Sequence, residues 1–160
     1  MGAAGRLTPE PSSAAMQVDT LFDIASLTKI ISVWSLIGRL LSQKRLGLDT
    51  RLADALPGTA GYALAPITIF QLLTHTAGLP LRARLRASYG EVYDDIVHGV
   101  LREPLEGVPG QAVTYTDRAA LILGWVIERL LGMPLDQALD EYIVRPLGMA
   151  ATRFGPLPPP

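Results

Sequence analysis

Residues 22–29 read Phe-Asp-Ile-Ala-Ser-Leu-Thr-Lys and lead directly into Ile30–Leu41, the longest apolar stretch of the chain. The pattern predicts a helix from Ala25 to Arg45 that ends before Gly47. At 100° per residue, Lys29 falls on the apolar side of this helix, one turn after Ser26. A charge in that position costs free energy unless it is paired or neutralised, so the helix start is the first candidate site.

Lys29 is one of only two lysines, whereas the chain has 12 arginines. A lysine can lose its proton and an arginine cannot. A desolvated lysine with a lowered pKa, within hydrogen-bond reach of Ser26, is the arrangement that activates a serine nucleophile. In the alternative interpretation, Ser26 only caps the helix.

The composition describes one globular domain and excludes several kinds of partner. The chain has 160 residues, of which 49% are apolar and 18% charged. With 14 basic and 15 acidic residues it carries no electrostatic footprint for nucleic acid. No cysteine is present, which excludes disulfides and thiolate chemistry, and we expect neither a metal nor an organic cofactor. The apolar stretch is too short for a membrane span, and no signal peptide is visible.

Helices dominate the rest of the predicted structure. Only Val18–Phe22 and Ala112–Tyr115 alternate in the manner of strands. Turn and cap residues predict further helices or helical turns at Asp49–Leu56, Ile67–Thr74, Tyr89–Leu101, Asp117–Leu131 and Leu135–Val144. The middle of Asp117–Leu131 is apolar on every side, which predicts a helix that is buried all round.

Tyr115-Thr116-Asp117 precedes that buried helix and forms a second candidate site. In the simpler interpretation Thr116 or Asp117 caps the helix and Tyr115 packs with a solvated hydroxyl. In the functional interpretation, the Tyr115 oxygen relays the proton of the serine and Asp117 binds a substrate amide.

Four segments, taken together and in order, resemble the class C β-lactamase-related serine hydrolases, a family that includes D,D-peptidases and esterases of the penicillin-recognising group. They are Phe22–Lys29, Ile67–Pro80, Tyr115–Asp117, and Pro146–Met149 with Thr152 and Phe154. The resemblance implies that Ser26 is the acylated nucleophile, Lys29 its proton acceptor, and Tyr115 the general base or acid for the leaving group.

The chain departs from the family pattern at Asp117, because the second motif of the family is usually Tyr-x-Asn. The departure replaces an amide that binds substrate with a potential negative charge. It weakens the case for a true β-lactamase more than the case for a peptidase or an esterase.

The chain also lacks the N-terminal strands of the family and its later Lys/His-x-Gly motif. We therefore expect a mainly α structure that resembles the helical part of the α/β serine β-lactamase fold, truncated at both ends, with most of the antiparallel sheet missing. Residues 1–155 are interpreted as this partial domain and Pro156–Pro160 as a Pro-rich end. The resemblance alone implies an extracytoplasmic location.

The expected function is acyl transfer from a β-lactam, a D-Ala-D-Ala-like peptide or a small ester. The alternatives are a non-catalytic helical fragment, or one half of a split enzyme that packs on a partner chain. A mean hydropathy of +0.28 favours an uncovered apolar face and self-association.

For the other candidate residues the sequence favours structural or solvent-exposed roles over functional ones. His75 and His98 are interpreted as structural or incidental, and Trp34 and Trp125 as core residues. For Arg82, Arg84 and Arg86 a solvated loop is favoured over contact with a substrate carboxylate.

Overall fold

The computed structural model describes residues 2–81 and 84–155, and in these ranges the protein is helical. The α-helices are α1 (Ser35–Ser42), α2 (Leu52–Ala55), α3 (Ile69–Leu73), α4 (Leu85–Tyr89), α5 (Tyr93–Leu101), α6 (Asp117–Leu131) and α7 (Leu135–Leu139). Two π-helical segments, Lys29–Trp34 and Asp140–Val144, and a 3₁₀ turn at Pro57–Thr59 complete the regular structure. The predicted mainly α class is confirmed. Arg82 and the Pro-rich end lie outside the described residues.

The first helix has a wider beginning than the sequence predicts. Its first six residues, Lys29–Trp34, form π-helix, and only then does the chain continue as α1. The Ser32 hydroxyl donates to the Thr28 carbonyl at 2.6 Å, and the Ser35 hydroxyl donates to the Ile30 carbonyl at 2.9 Å. Serine hydroxyls that bond carbonyls of the preceding turn perturb regular α-helix, which accounts for the local widening. The wide turn begins three residues after Ser26.

Helix α6 has the bounds that its cap residues predict. The Thr116 hydroxyl accepts from the Arg118 amide at the start, and Gly132 adopts a left-handed conformation after the end. Buried apolar side chains of α6 pack against the π-helical start of the first helix and against α1, α3 and α7. The prediction of burial on every side is wrong, because Leu121 and Trp125 are only half-buried and line a cavity.

Two of the shorter predicted helices have different bounds. The capping box of Thr68 and Gln71 starts α3 after position 67, because each side chain bonds the backbone amide of the other residue. The helix predicted at Tyr89–Leu101 begins only at Tyr93, as α5, and Tyr89 instead ends the preceding helix α4. Gly90 separates the two with φ of 79°, a left-handed value that a glycine adopts without strain.

Neither extended candidate forms a strand. The pairings present in the described ranges are isolated bridges, Arg6 with Ala15 and Arg51 with Thr68. A strand needs a neighbouring ladder to satisfy its backbone groups, and Val18–Phe22 has none among the described residues. Ala112–Tyr115 instead runs alongside the loop after α3. The Thr114 amide donates to the carbonyl of His75 in that loop at 2.8 Å. That contact brings Tyr115 toward the candidate site.

Large apolar side chains remain exposed beside Ser26. Phe22, Leu27 and Ile30 are 61%, 56% and 59% exposed. Within the described ranges, no helix combines the length and apolar character that a transmembrane span requires.

Candidate active site

Ser26 is exposed on a tight turn that precedes the π-helical segment. The Asp23 carboxylate accepts from the Ala25 amide at 2.8 Å, and the Thr28 amide donates to the Ala25 carbonyl at 3.0 Å. Ala25 has φ of 44°, an unfavourable left-handed value for a residue with a Cβ. Such strain is a recurrent feature of functional sites, and here it occurs at the residue before the predicted nucleophile.

The structure brings Ser26, Lys29, Tyr115 and Asp117 together around the ammonium group of Lys29. Its Nζ donates to Ser26 Oγ at 3.0 Å and lies 2.6 Å from Asp117 Oδ1. The same nitrogen is 5.0 Å from the centroid of the Tyr115 ring. The Lys29 side chain is 14% exposed, whereas the Asp117 side chain is 59% exposed. The predicted site residues therefore form one cluster, in which the lysine is the most enclosed member.

The expected lowering of the Lys29 pKa is wrong for this arrangement. Burial by itself lowers the pKa of Lys29, but hydrogen bonds with Asp117 and Tyr115 outweigh burial and hold it above the usual lysine value. Hydrogen bonds with Ser26 and Lys29 lower the pKa of the Tyr115 hydroxyl. Helix periodicity places the lysine on an apolar face and contains no information about its carboxylate partner.

His75 packs against the ring of Tyr115. The imidazole lies between the Trp34 ring, at 5.6 Å between centroids, and the Tyr115 ring, at 4.7 Å. Its Nδ1 accepts from the Thr116 amide at 3.4 Å. Burial and the Lys29 charge lower the pKa of His75, which favours the neutral imidazole that accepts this bond. These contacts favour a structural role for His75. They also place the Trp34 ring against His75, on the side away from Tyr115.

A buried polar network anchors the residues that flank Asp117. Arg118 forms an ion pair with Glu103, whose Oε1 also accepts from the Tyr89 hydroxyl at 2.6 Å. The Thr116 hydroxyl donates to the Pro80 carbonyl at 2.7 Å. Burial and the bond to Glu103 raise the pKa of Tyr89 to about 12. Sequence reasoning missed this network, although a single arginine at the start of an apolar helix was a signal that a buried partner exists.

A cavity of 680 Å³ extends from Ser26 and Lys29 along α6. Its walls are largely apolar and include Leu121 and Trp125. The other acidic residue in its lining, Glu128, is three helical turns beyond Asp117, or about 16 Å along the axis. The cavity has room for a small molecule with an apolar body placed against the serine.

The remaining candidates lie away from this cluster. Arg84 and Arg86 are exposed and only Leu85 between them lines the cavity, while His98 is exposed on α5. Among the described residues, no group of three or more His, Asp or Glu side chains is arranged to hold a metal ion.

The chain is similar to several known hydrolases. It is 36% identical to Esterase EstB of Burkholderia gladioli, over 92% of this chain and 42% of that protein. It is 28% identical to an N-acetylmuramyl-L-alanine amidase of Bacillus subtilis, over 90% of this chain and 35% of that protein. The crystal structure of a beta-lactamase/D-alanine carboxypeptidase from Pseudomonas syringae superposes with a TM-score of 0.75 at 25% identity.

That superposition covers 85% of this chain and 37% of the solved structure. The chain therefore corresponds to part of the fold, as expected for its helical part. The chain likewise spans 35–42% of the length of the curated relatives named above. The family model for Beta-lactamase matches residues 3–160, which is nearly the whole chain. The resemblance drawn from the motifs is thus confirmed, and this protein belongs to the Beta-lactamase family.

Proposed function

We propose that the cluster around Lys29 is the nucleophile part of a serine acyl-transfer site. The observation that carries this proposal is the 3.0 Å hydrogen bond between Lys29 Nζ and Ser26 Oγ, on a strained and exposed turn at one end of the cavity. Ser26 Oγ forms a bond to the carbonyl carbon of an ester or amide, and the bond from that carbon to the leaving group breaks. Water then releases the acyl group as an acid and restores the serine.

The proton of Ser26 leaves through Lys29 and Tyr115. Because Asp117 favours the protonated form of Lys29, the lysine accepts the serine proton only after it has lost one of its own. The Tyr115 oxygen is the second acceptor, since hydrogen bonds with Ser26 and Lys29 lower its pKa. The same pair returns the proton to the departing alkoxide or amine.

The substrate classes proposed for this site are small esters, D-Ala-D-Ala-like peptides and β-lactams. The names of the relatives support this range, since they include an esterase and a beta-lactamase/D-alanine carboxypeptidase. The exposed Phe22, Leu27 and Ile30 beside Ser26 favour a second candidate, in which this helical part packs on a partner segment and has no activity of its own.

Intact mass after exposure to a fluorescent penicillin, and separately to an activated p-nitrophenyl ester, distinguishes these candidates. With at least one of the two reagents we expect a single adduct, which Ser26→Ala abolishes. The matched control is Ser42→Ala, because Ser42 is an exposed serine at the far end of the same helix and should leave the adduct unchanged. Folded protein that forms no adduct, or an adduct that survives in Ser26→Ala, would contradict the acyl-transfer proposal.

A further inference from the structure

We propose that Asp117 makes this site prefer acyl donors that carry no negative charge near the scissile carbonyl. Within the range of substrates proposed above, small esters then react faster than D-Ala-D-Ala-like peptides and β-lactams, which carry a carboxylate there. The inference rests on the acyl-transfer function proposed above. Its basis is a chain of contacts in which Asp117 Oδ1 lies 2.6 Å from Lys29 Nζ, and that nitrogen lies 3.0 Å from Ser26 Oγ. A donor held against Ser26 therefore meets the Asp117 carboxylate as part of the wall.

The described charged residues that line the cavity include no unpaired cation for an anionic donor. Among the described residues of the lining, the charged side chains are Lys29, Asp117 and Glu128. Asp117 neutralises the ammonium group by direct contact, so Glu128 leaves the lining with a net negative charge. A donor carboxylate near Ser26 has to displace Asp117 from Lys29 or remain beside it unpaired, and both options are unfavourable. An uncharged donor meets neither obstacle, and a cationic donor is attracted.

Asp117 is held in this position by buried neighbours on both sides. Thr116 is 2% exposed and bonds the Pro80 carbonyl, and Arg118 is 6% exposed and pairs with Glu103. The backbone at the start of α6 is therefore fixed from both directions. This backbone position directs the carboxylate to Lys29, and a neutral amide in its place would leave the Lys29 ammonium group able to pair with an anionic donor.

Three para-substituted phenyl acetates test the inference, because they transfer the same acetyl group and differ in leaving-group charge. The anionic ester is 4-acetoxybenzoate, the neutral ester is its methyl ester, and the cationic ester is 4-acetoxyphenyl-trimethylammonium. For each enzyme variant, the measured quantity is the ratio of kcat/KM for a charged ester to kcat/KM for the neutral one. Comparison of this ratio between variants cancels the intrinsic reactivity of each ester.

We expect Asp117→Asn to raise the anionic-to-neutral ratio about tenfold and to lower the cationic-to-neutral ratio. The difference should shrink in 1 M salt, because the Asp117 side chain is 59% exposed. Asp117→Glu retains the charge and should retain the wild-type ratios. The matched control is Asp54→Asn, since Asp54 is 51% exposed, pairs with Arg51 at 3.0 Å and does not line the cavity.

The outcomes separate the inference from the proposed function. If Ser26 is acylated and Asp117→Asn leaves both ratios unchanged, the selectivity inference is overturned while acyl transfer stands. If the folded wild type is acylated by none of the three esters, the proposed function fails and the inference fails with it. A ratio that shifts equally in Asp54→Asn would also overturn the inference, because the effect would then arise from net charge alone.

Discussion

At the scale of single residues, the contacts of Lys29 separate what the sequence predicts from what it cannot. The contact between Ser26 and Lys29 joins residues only three positions apart, so the sequence was sufficient to predict it, although Ser26 lies on the turn before the helix and not in it. The contact with Asp117 joins residues distant in the chain, and helix periodicity contains no information about it. The sign of the Lys29 pKa shift depends on that contact, which is why the sequence argument predicted the wrong direction.

Replacing Lys29 by methionine distinguishes a catalytic residue from a structural one. Lys29→Met removes the proposed proton acceptor and retains an apolar chain of similar length, so we expect acylation of Ser26 to slow by at least about 100-fold in a protein that still folds. Mass spectrometry measures the rate of adduct formation, and the circular dichroism spectrum checks that the variant folds. An unchanged rate would favour the non-catalytic interpretation of this chain.

The pH dependence of acylation follows from the contacts of the same cluster. Burial lowers the pKa of Lys29, but its bonds with Asp117 and Tyr115 hold that pKa above the usual value, and the imidazole of His75 also faces the cluster. The base must be deprotonated, so the acylation rate of the wild type should rise with pH throughout the alkaline range. Asp117→Asn removes the carboxylate that favours protonated Lys29, so the rise should move toward lower pH. Single-turnover rates with the neutral ester measure this, and a profile that stays in place would contradict it.

At the scale of elements, helix α6 shows which features of the fold are local. Its bounds follow from Thr116 and Gly132, which both act on adjacent backbone groups and are readable from the sequence. The widening at Lys29–Trp34 and the absence of strand in Ala112–Tyr115 depend on side-chain bonds and neighbouring segments, and the sequence did not predict them. The helical elements were predictable from caps and periodicity, whereas their departures from regularity arise from tertiary contacts.

The buried pair of Arg118 and Glu103 should matter more for stability than any exposed pair. Glu103→Ala leaves the Arg118 guanidinium buried without its carboxylate, so we expect a loss of about 3 kcal/mol in the free energy of unfolding. Asp140→Ala breaks the exposed pair with Arg145 and should cost less than about 1 kcal/mol. Urea unfolding of the two variants makes the comparison, and equal losses would contradict the assigned role of the buried network.

At the scale of the whole molecule, the chain spans 35–42% of the curated relatives compared with it. The order of its motifs was enough to predict the family and the helical class, because both can be read from short local patterns in the sequence. The enclosure of Lys29 and the shape of the cavity depend on how the first helix packs on α6, and only the structure supplies that geometry.

The exposed Phe22, Leu27 and Ile30 predict self-association of the isolated chain. We expect the apparent mass in sedimentation velocity to rise with concentration, and replacement of all three by serine to reduce that rise several-fold. Replacement of Val92 by serine is the control, because its side chain is 60% exposed in a different part of the chain. A wild-type chain that stays monomeric at every concentration would contradict the prediction.

The central claim, that Ser26 is the acylated nucleophile, is tested most directly by locating the acyl group. Cleavage after arginine and lysine releases residues 7–29 as one peptide, which contains Ser12, Ser13 and Ser26. After brief exposure to the activated p-nitrophenyl ester and an acid quench, fragment ions of this peptide identify the modified residue. We predict one acyl group, on Ser26. An acyl group on Ser12, on Ser13 or on a residue outside this peptide, with Ser26 unmodified, would contradict the claim.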